Sequence, residues 1–75
     1  MSLKHLSNLS EGETAVIEQF SPEFTLQSRL VEMGLLPGVS IRILKKAPFR
    51  GPIELKIRNY EVSIRYLDAE QILVQ

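Results

Sequence analysis

The sequence predicts a mainly β protein, a small and partly open barrel of five strands with one short α-helix inserted after the first strand. Three observations carry that prediction. Apolar and polar residues alternate along residues 39–43, 53–57 and 62–66, which is the period of a half-buried strand and rules out a helical bundle. Turn signals recur every few residues from one end of the chain to the other, with no repeat, low-complexity tract or linker between them. Finally, the 75 residues contain no cysteine, so neither a disulfide nor a thiolate metal cage is available. A chain of this size buries only about 60–65% of the surface its unfolded form exposes. Its stability must come from one thin apolar core, and the whole span 1–75 reads as a single domain.

Each element has its own local signal. Leu6 and Leu9 precede the turn Ser10-Glu11-Gly12-Glu13, and residues 14–20 form a first strand rich in β-formers, with Val16, Ile17 and Phe20 as its apolar positions. Ser21 and Pro22 are an N-cap and a first-turn proline, with Glu23 where a helix dipole favours an anion. The helix then presents Leu26, Leu30 and Met33 on one face. It ends at Gly34, a C′ glycine, with Leu35 packing back on Leu30. Pro37-Gly38 is the central pair of a type II turn that launches the second strand through Val39, Ile41 and Ile43. Lys45-Lys46 breaks the alternation and marks an edge or a bend.

Residues 47–52, with two prolines and a glycine, form a loop. A hairpin follows, in which Ile53, Leu55 and Ile57 face Val62, Ile64 and Tyr66 across a tip at Asn59-Tyr60. Asp68 caps a single helical turn through Gln71, and residues 72–74 make a last short strand. Phe20, Phe24 and Tyr66 are expected in the core. Five short strands and one helix in so small a chain describe a barrel of the SH3-like kind.

The chemistry that the sequence lacks narrows the function. With no cysteine and a single histidine, His5, near the chain start, no nucleophile-base pair is available. Neither a Walker A loop nor a dinucleotide fingerprint occurs, and the four glycines fall at turns. Glu61, Asp68 and Glu70 are expected to be solvated or capping carboxylates, so catalysis is not indicated. His5 with Glu11 or Glu13 offers donors for a divalent transition metal, but no spacing joins them into a coordination sphere, so no cofactor is expected. His5 is read instead as part of a mobile tail. No apolar run approaches the roughly 18–20 residues of a membrane-spanning helix, and no signal-peptide core follows the first residues.

Formal net charge is zero, with the signs separated: residues 1–41 carry two bases against five acids, and residues 42–75 seven bases against four acids. Arg42, Lys46, Lys56, Arg58 and Arg65 fall on polar strand positions. A small RNA-binding barrel is the alternative they suggest, although few aromatic residues remain to stack bases and no nucleic-acid partner is expected.

A longer pattern unites these elements: Arg29-Leu30-x-x-Met33-Gly34-Leu35-x-Pro37-Gly38-x-x-Ile41-x-Ile43, then Ala47-Pro48-x-x-Gly51-Pro52, then Ile64-Arg65-x-x-x-Ala69-x-x-Ile72. It resembles the signature of the FeoA family, and the resemblance covers nearly the whole chain. Arg50, Asn59 and Asp68 depart from the family's usual glycine, glycine and glutamate. The resemblance implies an SH3-like barrel that serves bacterial ferrous iron uptake in the cytoplasm, beside the membrane GTPase transporter FeoB, without hydrolysing nucleotide or inserting into the membrane. The same domain in iron- and manganese-responsive repressors offers a second implied role, as a repressor-type SH3 module.

For a partner contact, the residues themselves point to the 47–52 loop and the helix end, specifically Leu36, Pro48, Phe49 and Arg50. A loop held by two prolines loses little entropy on docking, and a phenyl ring beside a guanidinium combines two common interface anchors. The competing expectation is that Phe49 folds inward to cover the core. A chain of this mass exposes on the order of 4,600 Å², against about 800 Å² per partner in a standard interface.

Overall fold

The computed structural model describes residues 3–21 and 27–75. Among them, six strands form one antiparallel sheet: β1 (Lys4–His5), β2 (Thr14–Phe20), β3 (Ser40–Lys46), β4 (Ile53–Ile57), β5 (Tyr60–Ile64) and β6 (Ile72–Val74), in the spatial order β1-β6-β2-β3-β4-β5. A 3₁₀ turn at Leu6–Asn8 and two short helices, α1 (Gln27–Glu32) and α2 (Tyr66–Glu70), complete the chain. Register shifts at Glu18 in β2 and at Leu44 in β3 are β-bulges, which bend the sheet toward a barrel. The bend expected near Lys45-Lys46 is therefore present, one residue earlier.

The core is filled from the inner positions of β2 to β6. Ile41 and Ile43 of β3, Ile53, Leu55 and Ile57 of β4, and Ile72 and Val74 of β6 are all essentially inaccessible to solvent, and Leu6, Leu9, Ile17, Leu30 and Leu35 close the ends. Phe20 and Tyr66 pack against this cluster from its margin, half-buried. Phe24, the Ser21-Pro22 start of the helix and Leu26 fall partly or wholly within residues 22–26, outside the described residues.

The helix ending follows the expected chemistry bond by bond. The Leu35 N–H donates to the Leu30 carbonyl (3.0 Å) and the Gly34 N–H to the Val31 carbonyl (2.9 Å), the two bonds of a Schellman motif. Gly34 takes φ +92°, a conformation that an L side chain enters only with strain. The turn at Pro37-Gly38 is equally regular, closed by Val39 N–H to the Leu36 carbonyl (3.1 Å), with Gly38 at φ +91°.

Tyr60 locks this corner to the sheet. Its hydroxyl donates to the Met33 carbonyl at 2.8 Å, and a Cβ on Gly34 would collide with that hydroxyl. Gly34→Ala is expected to cost about 2 kcal/mol, from backbone strain and the displaced hydrogen bond together. Urea unfolding in the wild-type and Tyr60→Phe backgrounds separates the two contributions. A smaller cost in the Tyr60→Phe background is the expected result, and an equal cost would assign all of it to the backbone.

Four details differ from the sequence reading. The segment expected to be a mobile tail is paired: Lys4 and His5 form β1 on Val74 and Leu73 of β6, and the His5 Nδ1–H donates to the Glu70 carbonyl at 2.7 Å. The hairpin tip is Arg58-Asn59, because Tyr60 already pairs with Ile57, and Arg58 takes the left-handed conformation at φ +54°. Tyr66 opens α2 instead of ending β5. Asp68 is not a cap: the N-cap residue of α2 is Arg65, and Asp68 lies within the helix, buried. It forms an ion pair with Arg29 of α1.

Candidate functional site

The 47–52 loop is closed on itself by two backbone bonds, Ala47 N–H to the Pro52 carbonyl (3.0 Å) and Gly51 N–H to the Pro48 carbonyl (3.1 Å). Gly51 is required by close approach, since a Cβ there would lie 2.7 Å from the Ala47 Cβ. At the tip Phe49 and Arg50 both adopt left-handed backbone, φ +58° and +59°. Two consecutive non-glycine residues in this region carry strain. The consequence is geometric: Phe49 points away from the core and is 99% exposed, which settles the choice between an inward and an outward ring.

Arg50 turns back over the protein, with its guanidinium carbon 5.7 Å from the centroid of the Tyr66 ring, within cation–π range. Leu67, the residue after Tyr66 in α2, is 69% exposed. No local signal marks it, because the alternation of Val62, Ile64 and Tyr66 draws this region as strand. Pro52 lines a recess of about 230 Å³ with Arg29 of α1, Met33 just after it, and Ser63, Ile64 and Arg65.

Leu36 does not join this surface. It belongs to the α1–β3 connection, whereas the loop follows the C-terminal end of β3; the seven residues of β3 separate the two by roughly 20 Å along the strand. At the recess Pro52 neighbours Arg29 of α1 and Met33 just past its end, so the helix end contributes Met33 and not Leu36. The candidate surface therefore consists of Pro48, Phe49 and Arg50, beside the Tyr66 ring that Arg50 covers.

The five bases grouped by sequence also divide. Lys46 is turned inward: its Nζ donates to the carbonyls of Ser7 (2.8 Å) and Leu9 (2.9 Å), and its backbone N–H to the Glu11 carboxylate (2.9 Å), clasping the 3₁₀ turn to β3. Arg65 lines the recess near Arg29. Arg42, Lys56 and Arg58 come together on the outer sheet face.

Glu13 accepts from the Ser10 N–H at 2.7 Å. With Glu11 held by Lys46 and His5 by Glu70, these three side chains stabilise separate turns and do not converge. Among the described residues no three His, Cys, Asp or Glu side chains are grouped closely enough to hold a metal ion. No described helix is long and apolar enough to cross a membrane.

Comparison with known proteins is consistent across sequence and structure. Residues 4–75 match the FeoA domain family. The Fe(2+) transport protein A/Fe(2+) transporter FeoB fusion protein of Porphyromonas gingivalis is 37% identical over 70 residues, 93% of this chain, while the chain spans only 8% of that relative's length. The solution structure of a FeoA-like protein from Clostridium acetobutylicum aligns over 100% of this chain and 87% of its own, with a TM-score of 0.90 and 29% identity. Stenotrophomonas maltophilia FeoA complexed with zinc, described as a procaryotic SH3 domain protein, shares the fold over 93% of this chain and 87% of its own, with a TM-score of 0.78 at 24% identity.

Proposed function

This chain belongs to the FeoA family, and on that premise we propose that it is a non-catalytic, cytoplasmic accessory protein of ferrous iron uptake that binds and modulates a FeoB-type membrane transporter. The observation that carries the reading is the fusion: a 37%-identical domain is joined covalently to FeoB in one relative. Covalent joining raises the effective concentration of two modules that act on one another. The surface area agrees. The chain exposes 4806 Å², so a standard contact of about 800 Å² per partner would occupy roughly a sixth of it. Ferrous iron uptake in a strain lacking the chain is expected to fall and to be restored by the wild-type sequence. Uptake at the wild-type level in the deletion strain would contradict the proposal.

Within that function the 47–52 loop is the proposed contact. Phe49 is a fully presented ring on a backbone closed by its own hydrogen bonds, and such preorganised apolar anchors dominate interface energetics. Phe49→Ala should weaken affinity for the transporter's cytoplasmic part by about tenfold or more, with an unchanged melting temperature because the ring touches little of the core. Arg50→Glu should weaken affinity similarly and lower stability slightly, through loss of the Tyr66 contact. Normal affinity in both variants would make the loop purely structural.

A further inference from the structure

A band of positive charge crosses the outer face of the sheet at the end away from the 47–52 loop. Strand register sets Thr14 opposite Arg42, Arg42 opposite Lys56, and Lys56 opposite Glu61. Arg58 follows one step beyond Ile57 at the hairpin tip. Thr14, Ser40, Arg42, Lys56 and Arg58, with the Gly38 backbone, line an open groove of about 400 Å³. All five side chains are exposed, and no carboxylate lines the groove. The ion pair found among the described residues is Arg29–Asp68, so Arg42, Lys56 and Arg58 stand without one.

Two features of this groove work against the fold. Like charges directly opposite on neighbouring strands repel, as Arg42 and Lys56 do. Arg58 holds a left-handed φ of +54° that glycine or asparagine would hold more easily. The Lys46 ammonium, by contrast, is held by the Ser7 and Leu9 carbonyls. Three cations without an ion pair are thus gathered in one groove, and both unfavourable features aim cations into it.

We propose that this groove docks an extended, carboxylate-rich segment of a protein partner. Two guanidinium forks suit carboxylates bidentately, the Lys56 ammonium adds a point charge, and the Thr14 and Ser40 hydroxyls are donors at the groove wall. A nucleic acid fits less well. No aromatic ring lines the groove to stack a base. A membrane surface also fits less well, because the cations line a recess and the fully exposed ring, Phe49, lies beyond the far end of β3. The groove and the 47–52 loop are separate surfaces, so neither assignment depends on the other.

The probe is a short Glu-rich peptide titrated into ¹⁵N-labelled chain, with a Gln-rich peptide, an oligouridine and phosphatidylglycerol vesicles as comparators. The expected result is salt-sensitive binding of the Glu-rich peptide, with amide shifts concentrated at Thr14, Ser40, Arg42, Lys56 and Arg58. Lys56→Glu should weaken it by about tenfold. Arg58→Gly should weaken it while leaving the melting temperature unchanged or raised, since glycine takes the tip conformation without strain. Phe49→Ala should leave it unaltered. Four results would overturn the proposal: no shifts in the groove at low salt, equal binding of the Gln-rich peptide, indifference of the affinity to both Lys56→Glu and Arg58→Gly, or tighter binding of oligouridine or vesicles through the same residues.

Discussion

Leu30→Ala is expected to lower stability by about 2–5 kcal/mol, the range for truncating a fully enclosed leucine. Leu30 has no accessible surface and carries the Schellman ending, its carbonyl receiving the Leu35 N–H while Leu35 is itself inaccessible. Removing its side chain opens a cavity where α1 meets the barrel. A 75-residue chain has about 4–11 kcal/mol in total at typical per-residue stability, so the variant should be partly unfolded at elevated temperature. Chemical unfolding followed by circular dichroism measures the loss. A melt indistinguishable from wild type would mean that α1 does not close the core as described.

The second large effect concerns the ion pair between helices. Asp68 is 3% exposed and is paired with Arg29 across the α1–α2 contact, while the Arg29 side chain remains 39% exposed. Arg29→Met leaves a carboxylate in the interior without its cation. Removing one partner of a fully buried pair costs about 3–5 kcal/mol; the partial exposure of Arg29 lets water screen the site, which reduces the expectation to about 2–3 kcal/mol. The pair is imperfectly satisfied, since the Arg29 Nε is buried without a partner. Arg29→Met combined with Asp68→Leu should therefore recover most of the loss, because an apolar replacement removes the desolvation cost of both charges. If the double variant were no more stable than Arg29→Met alone, the ion pair would not be the reason Asp68 is tolerated inside.

How far these features could be read from the sequence depends on how local their causes are. The inner residues of β3 and β4 follow from period-two alternation, and the helix ending follows from Gly34-Leu35, because each signal lies within a few residues of its consequence. β1 escaped because two residues are too few to show a period, and its pairing is decided by β6 at the other end of the chain. Tyr66 continued the alternation of β5 and so read as strand, although the chain turns there into α2, which packs on the 3₁₀ turn and β6 at positions distant in sequence. Lys46 looked like an edge charge; the carbonyls that hold it lie 37 and 39 residues away. At the candidate site, the composition of residues 47–52 announced a loop. Whether Phe49 faced in or out was set by two left-handed backbone conformations, which leave no mark in side-chain type. For the same reason the sequence placed the hairpin tip one residue late and concealed that Arg58 stands there.

The most direct test of the account is the association of the intact chain with the isolated cytoplasmic domain of a FeoB-type transporter, measured by calorimetric titration alongside Phe49→Ala and Arg50→Glu. The account predicts a saturable one-to-one complex that both substitutions weaken while the chain stays folded. No detectable heat and no co-purification with the folded wild-type chain would contradict it.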